Sequence, residues 1–296
     1  MTNRREFIKS AAIAALSTNL FSNQIIPKRV KVGAHLWVYA SRYPPNWDCT
    51  PIIDEVFSDL SYAGIDGVEL MHTNLRHANA VEVLGALAEK YNLPVLGSSY
   101  GADMWQESKH SSIREETDML FEKMKQLNAK HFGISVGDAG RQKTEDELDS
   151  QAAILRDVRE SARKKGITCN LHNHTYEVIN HMHDLRGTLK RIPDFPLGPD
   201  LNWLIRGGVN PIEFIREFRK QIVYLHIRDQ YLNGEWTEAV GEGNTDFKGI
   251  AFELEKVKFR GVATIELAFP NNFKPTRPLK ETWKISRQNV RKQFGY

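Results

Sequence analysis

A chain of 296 residues, 41% hydrophobic and 26% charged, has enough apolar material to bury a core without disulfide or metal staples. Its 12 prolines, 20 glycines and 10% aromatics exclude a disordered or low-complexity chain, and no apolar run reaches the ~18 residues of a membrane span. The net charge of +3 is an N-terminal excess: residues 1–31 hold six basic side chains and one acid, leaving 34 basic against 36 acidic, a net of −2 from Val32 onward, which disfavours a nucleic-acid partner.

The chain begins with an address. Asn3-Arg4-Arg5-Glu6-Phe7-Ile8-Lys9, followed by the mildly apolar Ala11–Leu16, resembles a twin-arginine export signal occupying residues 1–26. An ordinary basic N-terminus is the alternative, and no small-x-small cleavage site stands between Leu16 and Pro27. Export implies the periplasm or cell envelope; without use of the leader the protein stays cytoplasmic. Cys49 falls in a loop and Cys169 in a strand, so no disulfide is expected.

From Val32 to Tyr296 short β-rich runs alternate with amphipathic ones. The first strand, Val32–Trp37, precedes a helix over Pro51–Ala63. Gly67–Met71 precedes Val81–Tyr91, Pro94–Ser99 precedes Ile113–Leu127, and His131–Ser135 precedes Thr144–Lys165. Thr168–His172 leads to Leu185–Arg191, Leu197–Leu201 to Pro211–Arg219, Ile222–Ile227 to Phe247–Val257, and Val262–Leu267 to Lys280–Phe294. Thr50-Pro51 and Asn210-Pro211 read as caps followed by first-turn prolines, and Gly64, Gly166 and Gly261 as glycines closing helices.

Eight strands and eight helices in one domain, residues 32–296, predict an α/β fold of the (β/α)8 TIM-barrel type. An open doubly wound sheet would carry a glycine-rich phosphate turn after its first strand, where this chain reads His35-Leu36-Trp37-Val38-Tyr39. The longest loop, 230–246, follows the seventh predicted strand.

Barrel sites form at the C-terminal ends of strands. Those ends carry His35 and Trp37, Glu69 and His72, Ser98 and Tyr100, His172-Asn173-His174, Asp200-Leu201-Asn202-Trp203, His226-Ile227-Arg228-Asp229, and Glu266. Asp200, His226 and Glu266, on three successive predicted strands, form a candidate metal set. Mixed imidazole and carboxylate donors suit Mn, Zn, Co or Fe. His172 and His174, two apart on an extended chain, face the same side, one as ligand and one as acid or base. Taken singly, His35, His72 and His131 also fit hydrogen-bonded structural roles, and His77, His110, His181 and His183 read as loop or helix residues.

These segments, with Gly67-Val68-Glu69-Leu70, Thr175-Tyr176-Glu177, Gly241-Glu242-Gly243-Asn244-Thr245-Asp246-Phe247 and Ile265-Glu266, resemble the xylose isomerase-like TIM-barrel superfamily. That group holds sugar isomerases, epimerases, inosose dehydratases and endonuclease IV. The resemblance implies one divalent metal ion (Mn, Zn, Co or Mg) held by His172, Asp200, His226 and Glu266. His172 stands where ketose epimerases place a glutamate, which disfavours 3-epimerisation.

The activity implied is isomerisation or epimerisation of a small sugar or polyol through an enediolate, with Glu266, His174, Glu69 and Glu177 as candidates for proton transfer. His35, Trp37, Tyr100, Trp203 and Arg228 are candidate substrate-binding residues. Arg228 alternatively pairs with Asp229, and the aromatics alternatively pack the core. The rival reading is a dehydratase or β-eliminating lyase on keto-sugars or keto-glycosides. A non-catalytic sugar-binding barrel and an endonuclease rank below it. No membrane insertion is implied, and a homo-oligomer is compatible with the sequence.

Overall fold

The computed structural model describes residues 30–296 apart from 271, so the leader lies outside the described residues. Seven parallel strands form one sheet: β1 (Lys31–His35), β2 (Gly67–Met71), β3 (Val95–Gly101), β4 (His131–Ser135), β5 (Thr168–Leu171), β6 (Tyr224–Ile227) and β7 (Val262–Ile265). They are ordered β5-β4-β3-β2-β1-β7-β6, with the two ends of the order, β5 and β6, brought together by a linking segment.

That segment is the expected sixth strand, Leu197–Leu201, which is not a strand. Pro196 and Pro199 have no N–H to give to a ladder, so pairing collapses to single bridges. Leu197 bridges Leu171 on one side and Ile222 on the other, and Asp200 bridges His226. Gly198 is required there, because a Cβ would lie 1.9 Å from Asn170 Oδ1. These bridges close the TIM barrel.

The helices are α1 (Trp37–Ala40), α2 (Ile53–Tyr62), α3 (His72–Leu75), α4 (Ala80–Lys90), α5 (His110–Gln126), α6 (Glu145–Lys164), α7 (Thr175–Arg191), α8 (Leu201–Arg206), α9 (Pro211–Phe218), α10 (Phe247–Lys256) and α11 (Leu279–Phe294). The main apolar core lies between sheet and helices, and a small second cluster of Leu96, Tyr224 and Val262 plugs the barrel interior. Among the described residues no helix is long and apolar enough to cross a membrane.

Asn210 caps α9 as expected, accepting from the N–H groups of Ile212 and Glu213. Thr50 does not cap: it begins a 3₁₀ turn, and its own N–H donates to Asp48 Oδ1 at 2.9 Å. Gly64 and Gly166 take positive φ, but the left-handed position after α10 belongs to Lys258. Gly261 is needed for a different reason, since a Cβ there would lie 2.1 Å from the Val223 carbonyl oxygen. Helix α7 starts ten residues before the expected Leu185, as two helical segments joined across non-helical residues 179–182. Cys49 and Cys169 are both buried and free.

Candidate active site

Strand register sets the height of each donor. His35 pairs with Glu69 across β1 and β2, Ala34 with Ile265 across β1 and β7, and Asp200 bridges His226. The residues that the strand ends predicted therefore stand at one level, at the C-terminal mouth. There they line a cavity of about 470 Å³, within the range of small-molecule sites.

Its lining includes His35, Trp37, His72, Tyr100, His172, His174, Trp203, Arg228 and Glu266. It also includes Ser99, Ser135, Met71, Trp236 and Phe269, which were not among the sequence candidates. An aromatic residue within the long loop after β6 was the available signal for Trp236.

Three donors converge at and just beneath the floor: His172 and Glu266, which line the cavity, and His226 behind them each offer a ligand atom, all within 4.8 Å of one another, and all three are buried. Nδ1 of His172 and Nδ1 of His226 stand 2.6 Å apart, a separation two lone pairs tolerate only with a proton or cation to share. Nε2 of His226 faces Glu69 Oε2 at 2.7 Å. A carboxylate can only accept, so Nε2 of His226 carries a proton, and an incoming cation that displaced the Nδ1 proton would meet the Nδ1 lone pair facing the cluster. A carboxylate behind the imidazole is the usual arrangement around a ligating histidine. Glu266 Oε2 is buried without a hydrogen-bond partner. Two imidazoles and a carboxylate with an orphaned oxygen fit a divalent transition ion or zinc.

The charge balance points the same way. Of the buried carboxylates, Asp200 and Glu266 share one guanidinium, Arg228, which bonds Asp200 Oδ2 through Nε at 2.8 Å and Glu266 Oε1 through Nη2, while Glu69 faces His226. Burial disfavours charge on His226, yet Glu69, Glu266 and Asp200 outweigh it and raise its pKa to about 9. Burial also opposes ionisation of Glu266, but Arg228 and His35 hold it down at about 2. Asp200 is raised by burial, partly opposed by Arg228. Carboxylates in excess of Arg228 would compensate a cation that displaced the His226 proton.

Four sequence candidates sit elsewhere than the cavity wall: His226, which lies behind His172, and three that lie outside the donor triplet. Asp200 stays outside the donor triplet: Oδ1 caps α8 through the N–H groups of Asn202 and Trp203, and Oδ2 is taken by Arg228. Glu69 lies behind His226 and also accepts from the Tyr224 hydroxyl at 2.9 Å. Glu177 accepts from the His174 N–H at 2.6 Å and faces Val136 N at 3.4 Å, holding the start of α7. Burial and then Asp184 push its pKa well up.

Arg228 does not pair with Asp229, which instead accepts from the N–H groups of Gln230, Gly241, Gly243 and Thr245. This clasp gathers the long loop, and Gly243 permits it, because a Cβ would lie 2.5 Å from Asp229 Oδ1.

Among the lining imidazoles, His35 Nε2 meets Ser99 Oγ at 2.8 Å, and burial lowers its pKa. His172 and His174 both line the cavity, their rings 4.9 Å apart. Nδ1 of His174 meets the hydroxyls of Ser135 at 3.2 Å and Tyr176 at 3.4 Å, and burial brings its pKa to about 4. His72 is likewise lowered to about 4 by burial, and its Nδ1 has no partner. Tyr100 combines wall and core, packing on Phe132 and donating to Glu116 at 3.1 Å. Three further histidines make structural contacts: His77 pairs with Asp48, His110 meets the Met104 carbonyl and Ser150, and His183 the Lys143 carbonyl, while His181 is exposed. His131 opens β4 at the opposite end of the barrel from the mouth.

A family model described as the xylose isomerase-like TIM barrel matches residues 57–292. No curated protein sequence is significantly similar to the chain. Among solved structures, D-allulose 3-epimerase from Methylomonas sp. superposes with a TM-score of 0.73 at 16% identity, covering 90% of this chain and 99% of that one. A sugar phosphate isomerase/epimerase from Parabacteroides distasonis gives 0.70 at 17% identity, covering 92% and 96%. The 3-keto-D-glucoside 4-epimerase of E. coli gives 0.69 at 16% identity, covering 90% and 100%. At these identities the likeness is one of fold.

Proposed function

The chain belongs to the xylose isomerase-like TIM-barrel family, and from that premise we propose that it is a divalent-metal-dependent isomerase or epimerase of a small sugar or polyol. The observation that carries this reading is the convergence of His172, His226 and Glu266, with an unpartnered Glu266 oxygen, where His172 and Glu266 line the cavity and His226 stands just behind them. An ion held there would polarise adjacent sugar oxygens and make the proton on the neighbouring carbon easier to remove, by way of an enediolate of the substrate.

The chain's own residues supply the rest. His174 is the first candidate for proton transfer. Its Nδ1 is held by two hydroxyls, its Nε2 has no protein partner among the described residues, and the neutral ring can accept a proton. His72, which also lines the cavity, is the candidate for returning a proton at the other carbon or face. His35, fixed by Ser99, and the aromatic walls orient the ring of the sugar and exclude water.

Elimination from a keto-sugar or keto-glycoside remains the second reading. Glu266 is the one glutamate or aspartate among the described lining residues, so proton transfer falls to imidazoles rather than to a pair of glutamates. Both reactions begin with the same proton removal. Purified protein loaded with Mn²⁺ or Co²⁺ is incubated in deuterated water with free ketoses and with 3-keto-glucosides. Deuterium incorporation without fragmentation supports isomerisation or epimerisation, and release of the aglycone supports elimination. No exchange into any substrate, together with no metal retained after dialysis, overturns the proposal.

A further inference from the structure

We infer that the cavity takes an unphosphorylated sugar carrying a flat apolar substituent, such as an aryl glycoside, and that Trp236 is the residue that reads this substituent. The inference rests on the sugar-site reading above and adds a substrate class to it.

The first observation concerns charge. Among the described lining residues there is no lysine, and Arg228 is the one arginine. Arg228 is already neutralised, by Asp200 on one side and Glu266 on the other. A phosphate seated away from the donor triplet would find no unpaired cationic side chain among the described lining residues, so desolvating it there would go uncompensated by the protein.

The second observation concerns the walls. Trp37, Trp203, Trp236 and Phe269 all line the cavity and are only half-buried, so they present apolar surface to it. Trp203 and Trp236 meet edge to face, ring centroids 5.1 Å apart and planes at 89°, which makes a corner against which a second flat ring can pack.

The third observation is that the corner is built in advance. Residues 230–236 form a short hairpin with an antiparallel bridge between Gln230 and Trp236, turned at Gly234, where φ is +83°. The Arg206 guanidinium lies 3.4 Å from the Trp236 ring centroid and donates to the Gly234 carbonyl, fastening the hairpin to α8. With the Asp229 clasp at the other end of the loop, Trp236 is held at the mouth without a ligand, and little ordering is left for binding to offset. A sugar seated over the donor triplet would then direct its substituent to this corner.

The test is calorimetric binding of three non-reacting probes to the metal-loaded full chain: methyl β-D-glucoside, phenyl β-D-glucoside and glucose 6-phosphate. The phenyl glucoside is expected to bind about tenfold more tightly than the methyl glucoside, and the phosphate no more tightly than the methyl glucoside. Trp236→Ala is expected to remove most of the phenyl preference and Trp236→Phe to retain most of it, with both variants checked for a wild-type melting profile. Equal binding of the two glucosides, a phenyl preference unchanged in Trp236→Ala, or tightest binding of the phosphate overturns the inference. Because binding is read without turnover, a phenyl preference in a protein that exchanges no deuterium would refute the isomerase reading and leave this one standing.

Discussion

Replacing Glu69 separates a positioning role from a chemical one. Its carboxylate is buried, accepts from His226 Nε2 at 2.7 Å and the Tyr224 hydroxyl at 2.9 Å, and does not line the cavity. Glu69→Ala leaves both donors unsatisfied and breaks a buried ionic contact, which costs about 3–5 kcal/mol and lowers Tm by roughly 10 °C for a chain this long. Glu69→Gln keeps one acceptor but aims an N–H₂ group among donors, and is expected to cost about 1–3 kcal/mol. It also releases the His226 tautomer, so Mn²⁺ or Zn²⁺ affinity should fall about 10- to 100-fold. The assays are urea unfolding and titration against a competing chelator, followed by turnover at saturating metal. If Glu69 positions His226, saturating metal restores most of the turnover of Glu69→Gln. Unchanged metal affinity with turnover reduced about 1000-fold would refute this reasoning and make Glu69 the base.

Other consequences follow from parts of the molecule away from the floor of the cavity. Thr144 and Glu147 form a reciprocal capping box at the start of α6, so Thr144→Ala should cost about 1 kcal/mol in urea unfolding. Glu147 is held down at about 2, chiefly by its bond to Arg141, below its ordinary 4.5. The stability it contributes is therefore present above pH 4.5 and lost as pH falls toward 2, and the gap between wild type and Glu147→Gln should close over that window. Burial pushes the Cys49 thiol up to about 11 and Cys169 higher still. A thiol reagent at pH 8 should find neither cysteine in the folded protein and both after unfolding; rapid labelling of the native state would contradict their burial. Fusing residues 1–26 to a folded reporter should export it, and replacing Arg4 and Arg5 by lysine should stop export. Equal export by both fusions would remove the twin-arginine reading.

Each sequence candidate owed its legibility to something local. A strand-to-helix alternation is set by periodicity over a few residues, and seven of the eight expected strands stand where they were read. The sixth failed at Pro196 and Pro199, whose missing N–H groups outweigh the apolar character of Leu197 and Leu201. His35, His72, His172, His174, Arg228 and Glu266 follow apolar runs, and the barrel carries all six to the cavity. Asp200 satisfies the same pattern, yet its oxygens go to a helix cap and to Arg228. Only the packed structure shows that competition, because the cap is two residues away and the guanidinium 28.

By itself, then, the order of residues determined the barrel and the height at which its polar side chains emerge, since both depend on backbone geometry within single strand-helix units. What it left open was which polar group compensates which. Glu69 and His226 are 157 residues apart, and their contact makes one the support and the other the candidate ligand. Trp236 joins the wall because Arg206 and Asp229 hold its loop in place. Partnerships of that kind arise when distant strands are brought to one level and buried charges must find counter-charges there, a condition the closed barrel imposes and no local stretch contains.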